Sequence, residues 1–151
     1  RSDGFVLAWG DPEAGGAIPP NILEELSGDV VELHANTGAF AAVRADGSLF
    51  CWGDEDSGGD KVLLKAGVAH VFTTSTAFAA LTEGGTVIAW GDEDNGGDAS
   101  DVVVELKHGD IDWIYSNCRA FAAVKTSGGV VTWGDPASGG AAPPHAVYNQ
   151  I

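Results

Sequence analysis

Apolar residues along this chain come in short runs that are arranged in pairs. One pair consists of residues 40–43 and 49–52, and pairs with the same spacing follow further along the sequence. Runs of this length are typical of β-strands and are too short for helices. A two-residue turn signal lies inside each pair, namely Asp46-Gly47, Gly84-Gly85 or Ser127-Gly128, and Asp3-Gly4 holds the matching place near the start. Such residues favour turns with a positive φ. The pattern therefore predicts β-hairpins over residues 39–52, 77–90 and 120–133.

A third strand is predicted before each hairpin. Paired apolar residues recur at a constant distance from the hairpins and are followed by small polar residues; the pairs are Val30 and Leu33, Val68 and Val71, and Ile111 and Ile114. Each repeat should therefore contain at least three strands. In the longer linkers, residues 21–26 and 102–107 fit either an outer strand or a helical turn, and Pro19-Pro20 marks the end of the preceding loop.

The hairpins belong to an internal repeat. Trp-Gly-Asp occurs four times, at Trp9, Trp52, Trp90 and Trp133, with intervals of 43, 38 and 43 residues. A Gly-Gly pair follows each tryptophan, and Ala-Phe-Ala-Ala begins 13 residues before each of the last three. Because stacked repeats pack equivalent side chains together, we expect these rings to be buried in equivalent places. The rings are those of Phe40, Phe78 and Phe121, and of Trp52, Trp90 and Trp133. A ligand-stacking face is the other use to which the tryptophans are suited.

These features divide the 151 residues into one repeat domain. Its parts are a partial repeat over residues 1–38, repeats over 39–76 and 77–119, and a partial repeat over 120–151. The sequence cuts through a repeat at both ends and contains no methionine, which predicts a fragment of a longer chain or a ring closed by joining the two ends. The predicted fold class is all-β, built from propeller-like tandem repeats of 38 to 43 residues.

The order of these motifs resembles the repeats of the regulator of chromosome condensation family. The specific parts are Trp-Gly, the glycine six places later and the hairpin turn, in residues 39–60, 77–98 and 120–141. The resemblance is closest to the short acidic repeats of that family in photosynthetic protists, with Gly-Gly-Asp in place of the usual Gly-Gln-Leu-Gly. It implies radially arranged sheets, as a partial or small β-propeller or an open arc of blades, with a linear stack as the alternative. It also favours a plastid over the nucleus.

Two departures from that family limit what the resemblance implies. The usual loop asparagine is replaced by Pro12, Glu55, Glu93 or Pro136, and the chain is too short for seven blades. The nucleotide-exchange and chromatin roles of the founding member are therefore not expected here.

Charge narrows the classes of partner. The chain carries 22 Asp and Glu against 7 Lys and Arg, a net charge of -15, which repels nucleic-acid backbones and anionic lipid headgroups. Basic proteins or cations are favoured instead, and no apolar run is long enough for a transmembrane segment. Cys51 and Cys118 lack metal-ligand spacing and are either a disulfide pair or ordinary small core residues.

Acidic loops after the tryptophans are the candidate metal sites. Carboxylates lie close together on glycine-rich loops, as a calcium site requires, at Asp54, Asp56 and Asp60 and at Asp92, Asp94 and Asp98. The spacing does not match the helical calcium loop, and a solvated acidic turn is the alternative. No other cofactor is expected. The aspartate directly after each Trp-Gly favours a role in the fold, because it can accept backbone N–H bonds of its own turn.

Trp113 and Tyr115 are the candidate contact residues. Trp113 lies outside the repeated tryptophan frame, in the place that Glu32 and His70 hold in the other copies, and Tyr115 is two residues further on. An aromatic pair on a partly exposed strand points to a protein contact. Extra core packing is the alternative.

No catalytic motif emerges from the sequence. There is no nucleophile elbow and no phosphate-cradling glycine loop, and the four histidines occupy four different places in the repeat. The predicted function is a non-catalytic protein-interaction or scaffold module, such as a peripheral accessory subunit of a larger assembly. The alternatives are a calcium-dependent or glycan-binding module, an accessory subunit of an organellar photosynthetic membrane complex, and an enzyme whose site forms between loops.

Overall fold

A computed structural model describes residues 4–59, 64 and 66–141 of the chain. Its strands are β1 Val30–Ala35, β2 Ala39–Arg44, β3 Leu49–Gly53, β4 Val68–Thr73, β5 Ala77–Thr82, β6 Val87–Gly91, β7 Ile111–Ser116, β8 Ala120–Lys125 and β9 Val130–Gly134. Consecutive strands form three antiparallel sheets of three strands each. We call these sheets blades 1, 2 and 3. Each blade begins one strand before the Ala-Phe-Ala-Ala motif, and the predicted all-β class is confirmed.

The three hairpins are confirmed, but their turns are longer than the two-residue signal suggests. In blade 1, Phe40 lies opposite Trp52, and the same pairing recurs in blades 2 and 3. The N–H of Arg44 donates to the carbonyl of Ser48 at 3.0 Å, so three residues connect the two strands. Of these three, only Gly47 has a positive φ, at 80°, which is the geometry of a turn closed by a glycine bulge.

Short helices, rather than outer strands, fill the two longer linkers. They are α1 Pro20–Glu25 and α2 Val103–Lys107. Pro20 suits the first helical position because its ring fixes φ and an N–H there would have no helical partner. Ile22 and Leu106 anchor the two helices to the core, with exposed fractions of 7% and 1%. The helical alternative is therefore the correct one for both linkers.

The hydrophobic core lies between successive blades. The first strands of neighbouring blades, β1, β4 and β7, lie against one another, and the blades fan out from that side. One face of blade 2 packs Phe78 and Trp90 against Ala41 of blade 1. The opposite face of blade 2 packs Ala79 against Phe121 of blade 3. Both faces of blade 2 are therefore apolar, and the architecture is an open, partial propeller.

The repeated aromatic rings are core residues, as the repeat predicts. Within each blade the phenylalanine and tryptophan rings stack, with centroids 5.3, 5.4 and 5.2 Å apart. All are at most 3% exposed except Phe40, which is half-buried. Each tryptophan Nε1 donates to a glycine carbonyl of the preceding repeat: Trp52 to Gly15, Trp90 to Gly58 and Trp133 to Gly96, at 3.0, 3.2 and 3.0 Å. The core interpretation holds for these three tryptophans, and the ligand-stacking alternative is wrong for them.

The two cysteines lie in different surroundings. Cys51 is buried on β3, whereas Cys118 is exposed in the loop after β7, and no disulfide joins them. Cys51 is thus a small core residue. No helix in the described part of the chain is long and apolar enough to cross a membrane.

Candidate interaction surface

The loop after each Trp-Gly is closed by its own aspartate. In three of the four copies it contains a single turn of 3-10 helix. The aspartate Oδ1 accepts the backbone N–H two residues further on, in the pairs Asp11–Glu13, Asp92–Asp94 and Asp135–Ala137, at 3.0, 3.0 and 3.1 Å. In the remaining copy Asp54 accepts the hydroxyl of Ser57 at 2.8 Å. The predicted fold role of these aspartates is confirmed.

Hydrogen bonding favours the charged form of two of these carboxyls. Burial raises the pKa of Asp92, but donors from Thr76, Asn95 and the N–H of Asp94 outweigh it, and the pKa lies below its ordinary value. The hydroxyl of Thr76 and the amide of Asn95 both reach Oδ2, at 2.9 and 2.7 Å. In Asp135 the serine hydroxyl of the same loop is the main cause of a lowered pKa. These charges therefore act as structural parts of the loops.

The acidic loops bring no metal cluster together within the described ranges. No three His, Cys, Asp or Glu side chains converge there as ligands. Asp98 Oδ1 accepts the N–H of Ser100 at 2.9 Å, while Asp56 and Asp94 face solvent. Asp60 lies outside the described residues. The calcium hypothesis stays a prediction.

A polar residue after each first strand ties two loops of its blade together, although in the sequence it stands out only as one of several small polar residues. Asn36 Oδ1 accepts the N–H groups of Gly38 and Ala39 at 3.0 and 2.8 Å. Its Nδ2 donates to the carbonyl of Ser57 at 2.9 Å. Asn117 makes the corresponding bonds in blade 3. The recurrence of asparagine at this position is the signal that could have revealed the role.

Polar and aromatic side chains form a row along the first strands of the blades. We call this row the first-strand surface: Glu32, His34, His70, Phe72, Trp113 and Tyr115. At its blade 1 end, Glu32 Oε1 hydrogen-bonds His34 Nε2 at 2.5 Å, and Oε2 lies 3.5 Å from Nδ1 of His70. Two histidines that occupy different repeat positions thus meet around one carboxylate. The register of β1 against β4 brings them together, and sequence spacing alone does not show it.

Trp113 continues this row into blade 3. Its ring centroid lies 4.7 Å from that of His70 and 5.1 Å from that of Phe72, which it meets edge to face. A β-bulge between Ile111 and Trp113 recurs at the same place in each blade, and bulges re-aim the side chains of a strand. Trp113 is 38% exposed and Tyr115 is 61% exposed. Both predicted contact residues therefore present open aromatic surface, and Trp113 is also held by two neighbouring rings.

The chemistry of the first-strand surface suits protein recognition. It offers the flat aromatic area of Trp113 and the phenolic hydroxyl of Tyr115, which are groups that protein interfaces use. A separate cavity of about 580 Å³ lies beside β9, and its lining includes Asp98, Asp101, Glu105 and Lys125.

Three-stranded antiparallel blades that pack face to face and fan out from their first strands define the chain as a propeller-type tandem-repeat protein. Among solved structures it is similar to yeast RCC1 (Prp20) bound to Kap60, with 15% identity and a TM-score of 0.55 over 87% of this chain and 40% of that one. It is also similar to human WBSCR16, with 23% identity and a TM-score of 0.50 over 70% of this chain and 34% of that one.

A third similar structure is the ectodomain of the Physcomitrella patens receptor kinase CR4, with 20% identity and a TM-score of 0.51 over 70% of this chain and 30% of that one. The chain spans less than half the length of each of these structures. No family model and no curated protein matches the sequence. At these identities the likeness shows the fold alone, and that fold is consistent with the RCC1-like repeats that the motifs resemble.

Proposed function

We propose that this chain is a non-catalytic protein-interaction module that contacts its partner through Trp113 and Tyr115. The observation that supports this is the exposure of the two side chains on β7, at 38% and 61%. The Trp113 ring is already held in place by His70 and Phe72 of β4. Rings that are fixed before binding lose little conformational entropy on association. Anchoring aromatic residues typically supply about 2 kcal/mol or more each.

Charge specifies the kind of protein that suits this surface. With a net charge of -15, the chain attracts basic partners and speeds their approach, so association should weaken as salt is added. The structurally similar yeast Prp20p has binding properties to Gsp1p and histones. By analogy of fold, we propose a scaffold or accessory-subunit role within a larger assembly, and no enzymatic step.

The test is a comparison of two double variants in affinity capture from cell extract. Trp113→Ala with Tyr115→Ala removes the proposed contact. Leu23→Ala with Val104→Ala is the matched control, because these side chains are 48% and 78% exposed on α1 and α2. We expect quantitative mass spectrometry to find proteins that the parent chain and the control retain and that the first variant loses.

Circular dichroism of the first double variant completes the test. An intact β-rich spectrum with lost binding supports the proposal. Unfolding would show that the two rings are core residues, and retention of the same proteins would place the contact elsewhere on the chain.

A further inference from the structure

A carboxylate and two imidazole rings meet where blade 1 packs against blade 2, on the first-strand surface. Glu32 Oε1 accepts a hydrogen bond from His34 Nε2 at 2.5 Å, and Oε2 lies 3.5 Å from Nδ1 of His70. The N–H of Val71 also donates to Oε1, at 3.3 Å. Glu32 of β1 is therefore fixed against β4 and holds both rings in place. We call Glu32, His34 and His70 the imidazole cluster.

The imidazole cluster is in contact with the ring of Trp113. The centroid of the His70 ring lies 4.7 Å from that of Trp113, and the two planes are inclined at 59°. A cation and an indole ring interact when they are within about 6 Å of each other. A charge gained by His70 therefore acts directly on the ring that is proposed to contact the partner.

The strands packed against β4 supply few other charges that could compensate such a change. These strands are β1, β2, β5 and β7. Besides His70, the titratable residues of all five strands are Glu32, His34, Arg44, Asp112 and Tyr115. Arg44 is paired with Glu25, Asp29 and Asp46 instead, and Asp112 and Tyr115 are exposed. Among the described residues, the ion pairs of His34 and His70 are those with Glu32.

The imidazole cluster changes sign when its rings take up protons. Histidine is the side chain whose ordinary change of charge falls between about pH 8 and pH 5. With both rings neutral, the cluster carries the negative charge of Glu32 alone. With both rings protonated, it carries one net positive charge. The surface beside Trp113 thus changes from attracting a cation to repelling one.

We propose that acid switches off the binding of a basic protein segment at Trp113, because it protonates His34 and His70. This inference rests on the proposed function, in which a basic partner contacts Trp113 and Tyr115. At neutral pH, the Glu32 carboxylate and the exposed part of the Trp113 ring both favour a lysine or arginine side chain of the partner. In acid, His34 and His70 compensate the charge of Glu32, and His70 places a positive charge against the same ring.

The effect is local, which separates it from the attraction exerted by the whole chain. The sequence contains four histidines against a net charge of -15, so the chain stays strongly acidic when all four are protonated. A unit charge roughly 8 Å from a partner's cation at a protein surface changes the affinity by about three- to tenfold. A change of this size that depends on His34 and His70 is therefore the expected signature.

The test measures the affinity of a fluorescently labelled oligoarginine peptide for the whole chain by fluorescence anisotropy. The measurements are made at about pH 7.5 and about pH 5.5, at one ionic strength because salt also weakens the attraction. The parent chain should bind about three- to tenfold more weakly at the lower pH. His34→Gln with His70→Gln should bind equally at both, since glutamine stays neutral. His108→Gln is the control, because this side chain is 73% exposed beside Asp110, outside the first-strand surface, and it should keep the full difference.

Several results would overturn the proposal. They are a parent chain that fails to bind the peptide at the higher pH or binds it equally at both, and a double histidine variant that keeps the pH difference. Peptide binding that survives Trp113→Ala with Tyr115→Ala would place the cation elsewhere, and a circular dichroism spectrum lost at the lower pH would attribute release to unfolding. The capture experiment from cell extract uses one neutral pH and leaves the histidines unchanged, so the proposed function is decided separately.

Discussion

At the scale of single residues, the glycine six places after each repeated tryptophan meets two separate constraints. Gly96 has a φ of 106°, which L side chains rarely adopt, and a Cβ there would lie 2.6 Å from the Phe121 ring. A Cβ built on Gly15 would lie equally close to the Phe40 ring, at 2.6 Å. Gly139 shares the backbone conformation, with a φ of 98°, but among the described residues no atom lies within 4 Å of a Cβ built there. At this repeated position, glycine is thus required at Gly139 by the positive φ alone, and at Gly96 by both the positive φ and the neighbouring ring.

This separation can be measured by urea unfolding of dilute protein. Gly139→Ala should lower the free energy of unfolding by about 1–2 kcal/mol, the strain of a left-handed alanine. Gly96→Ala should show the same strain and a further loss of about 1–3 kcal/mol, because its methyl group overpacks the Phe121 ring. Equal losses in the two variants would mean that the Phe121 ring moves aside freely.

Sequence spacing predicts which aromatic residues are equivalent and that they are buried. It does not predict that Trp90 bonds to Gly58 of the preceding repeat, because that bond depends on how one blade is rotated against the next. The same rotation brings His70 beside Trp113. The residue pattern within one repeat does not indicate how one blade is rotated against the next.

At the scale of elements, the Trp-Gly-Asp loop is held by a carboxylate in its charged form. Two neutral donors, the hydroxyl of Thr76 and the amide of Asn95, both point at Oδ2 of Asp92. An asparagine at this position would place either an amide donor against those donors or its oxygen away from the N–H of Asp94. Oδ2 of Asp92 must therefore be an acceptor, which an ionised carboxylate provides and an asparagine amide nitrogen does not.

The pH dependence of stability should show this requirement. The pKa of Asp92 is lower in the folded protein than its ordinary value, so its contribution is complete above the unfolded-state pKa of about 3.9 and is lost as the pH falls through the folded-state pKa. We expect Asp92→Asn to reduce the free energy of unfolding most near neutral pH, with the difference closing below about pH 4. Asp94→Asn, the same change at an exposed neighbour, is the control. A difference that is independent of pH would contradict this account.

Strands and hairpins were predictable because their apolar runs have a length and turn signal that fit nothing else. The linkers were not, since a segment such as residues 102–107 is too short for periodicity to separate strand from helix. The length of the turn does not follow from its two-residue signal either. The glycine of Asp46-Gly47 takes the expected left-handed conformation, while Asp46 instead accepts the N–H of Ser48 at 2.9 Å, and this bond favours the longer loop.

At the scale of the whole molecule, the stability comes from similar contacts between neighbouring repeats, while the net negative charge destabilises the whole compact state by repulsion. Repeat arrays of this kind derive stability from each unit and from its contact with the next. A net charge of -15 on 151 residues makes the compact state repel itself. The contacts between repeats therefore raise the stability of the folded chain, and the repulsion between its negative charges lowers it.

Thermal unfolding should reveal the repulsion. At pH 7, raising sodium chloride should raise the melting temperature, because screening reduces repulsion that is stronger in the compact state than in the unfolded chain. Near pH 4.2, the isoelectric point of the sequence, the same salt step should have much less effect. An equal rise at both pH values would mean that salt acts through apolar hydration rather than through charge.

The hydrogen bond from the tryptophan Nε1 to a glycine carbonyl of the preceding repeat is the same whether the linker between the two blades is the longer one, which contains α2, or the shorter one. Trp133 and Trp90 make it alike, although their intervals from the preceding tryptophan are 43 and 38 residues. The bond between the tryptophan Nε1 and the glycine carbonyl therefore does not depend on the length of the linker, although Leu106 of the longer linker packs into the core between blades 2 and 3. In evolutionary terms, unequal recombination between two copies of the coding repeat would exchange linkers of different length and still keep this bond between neighbouring blades. Such a gene can gain or lose repeats without a new interface having to arise.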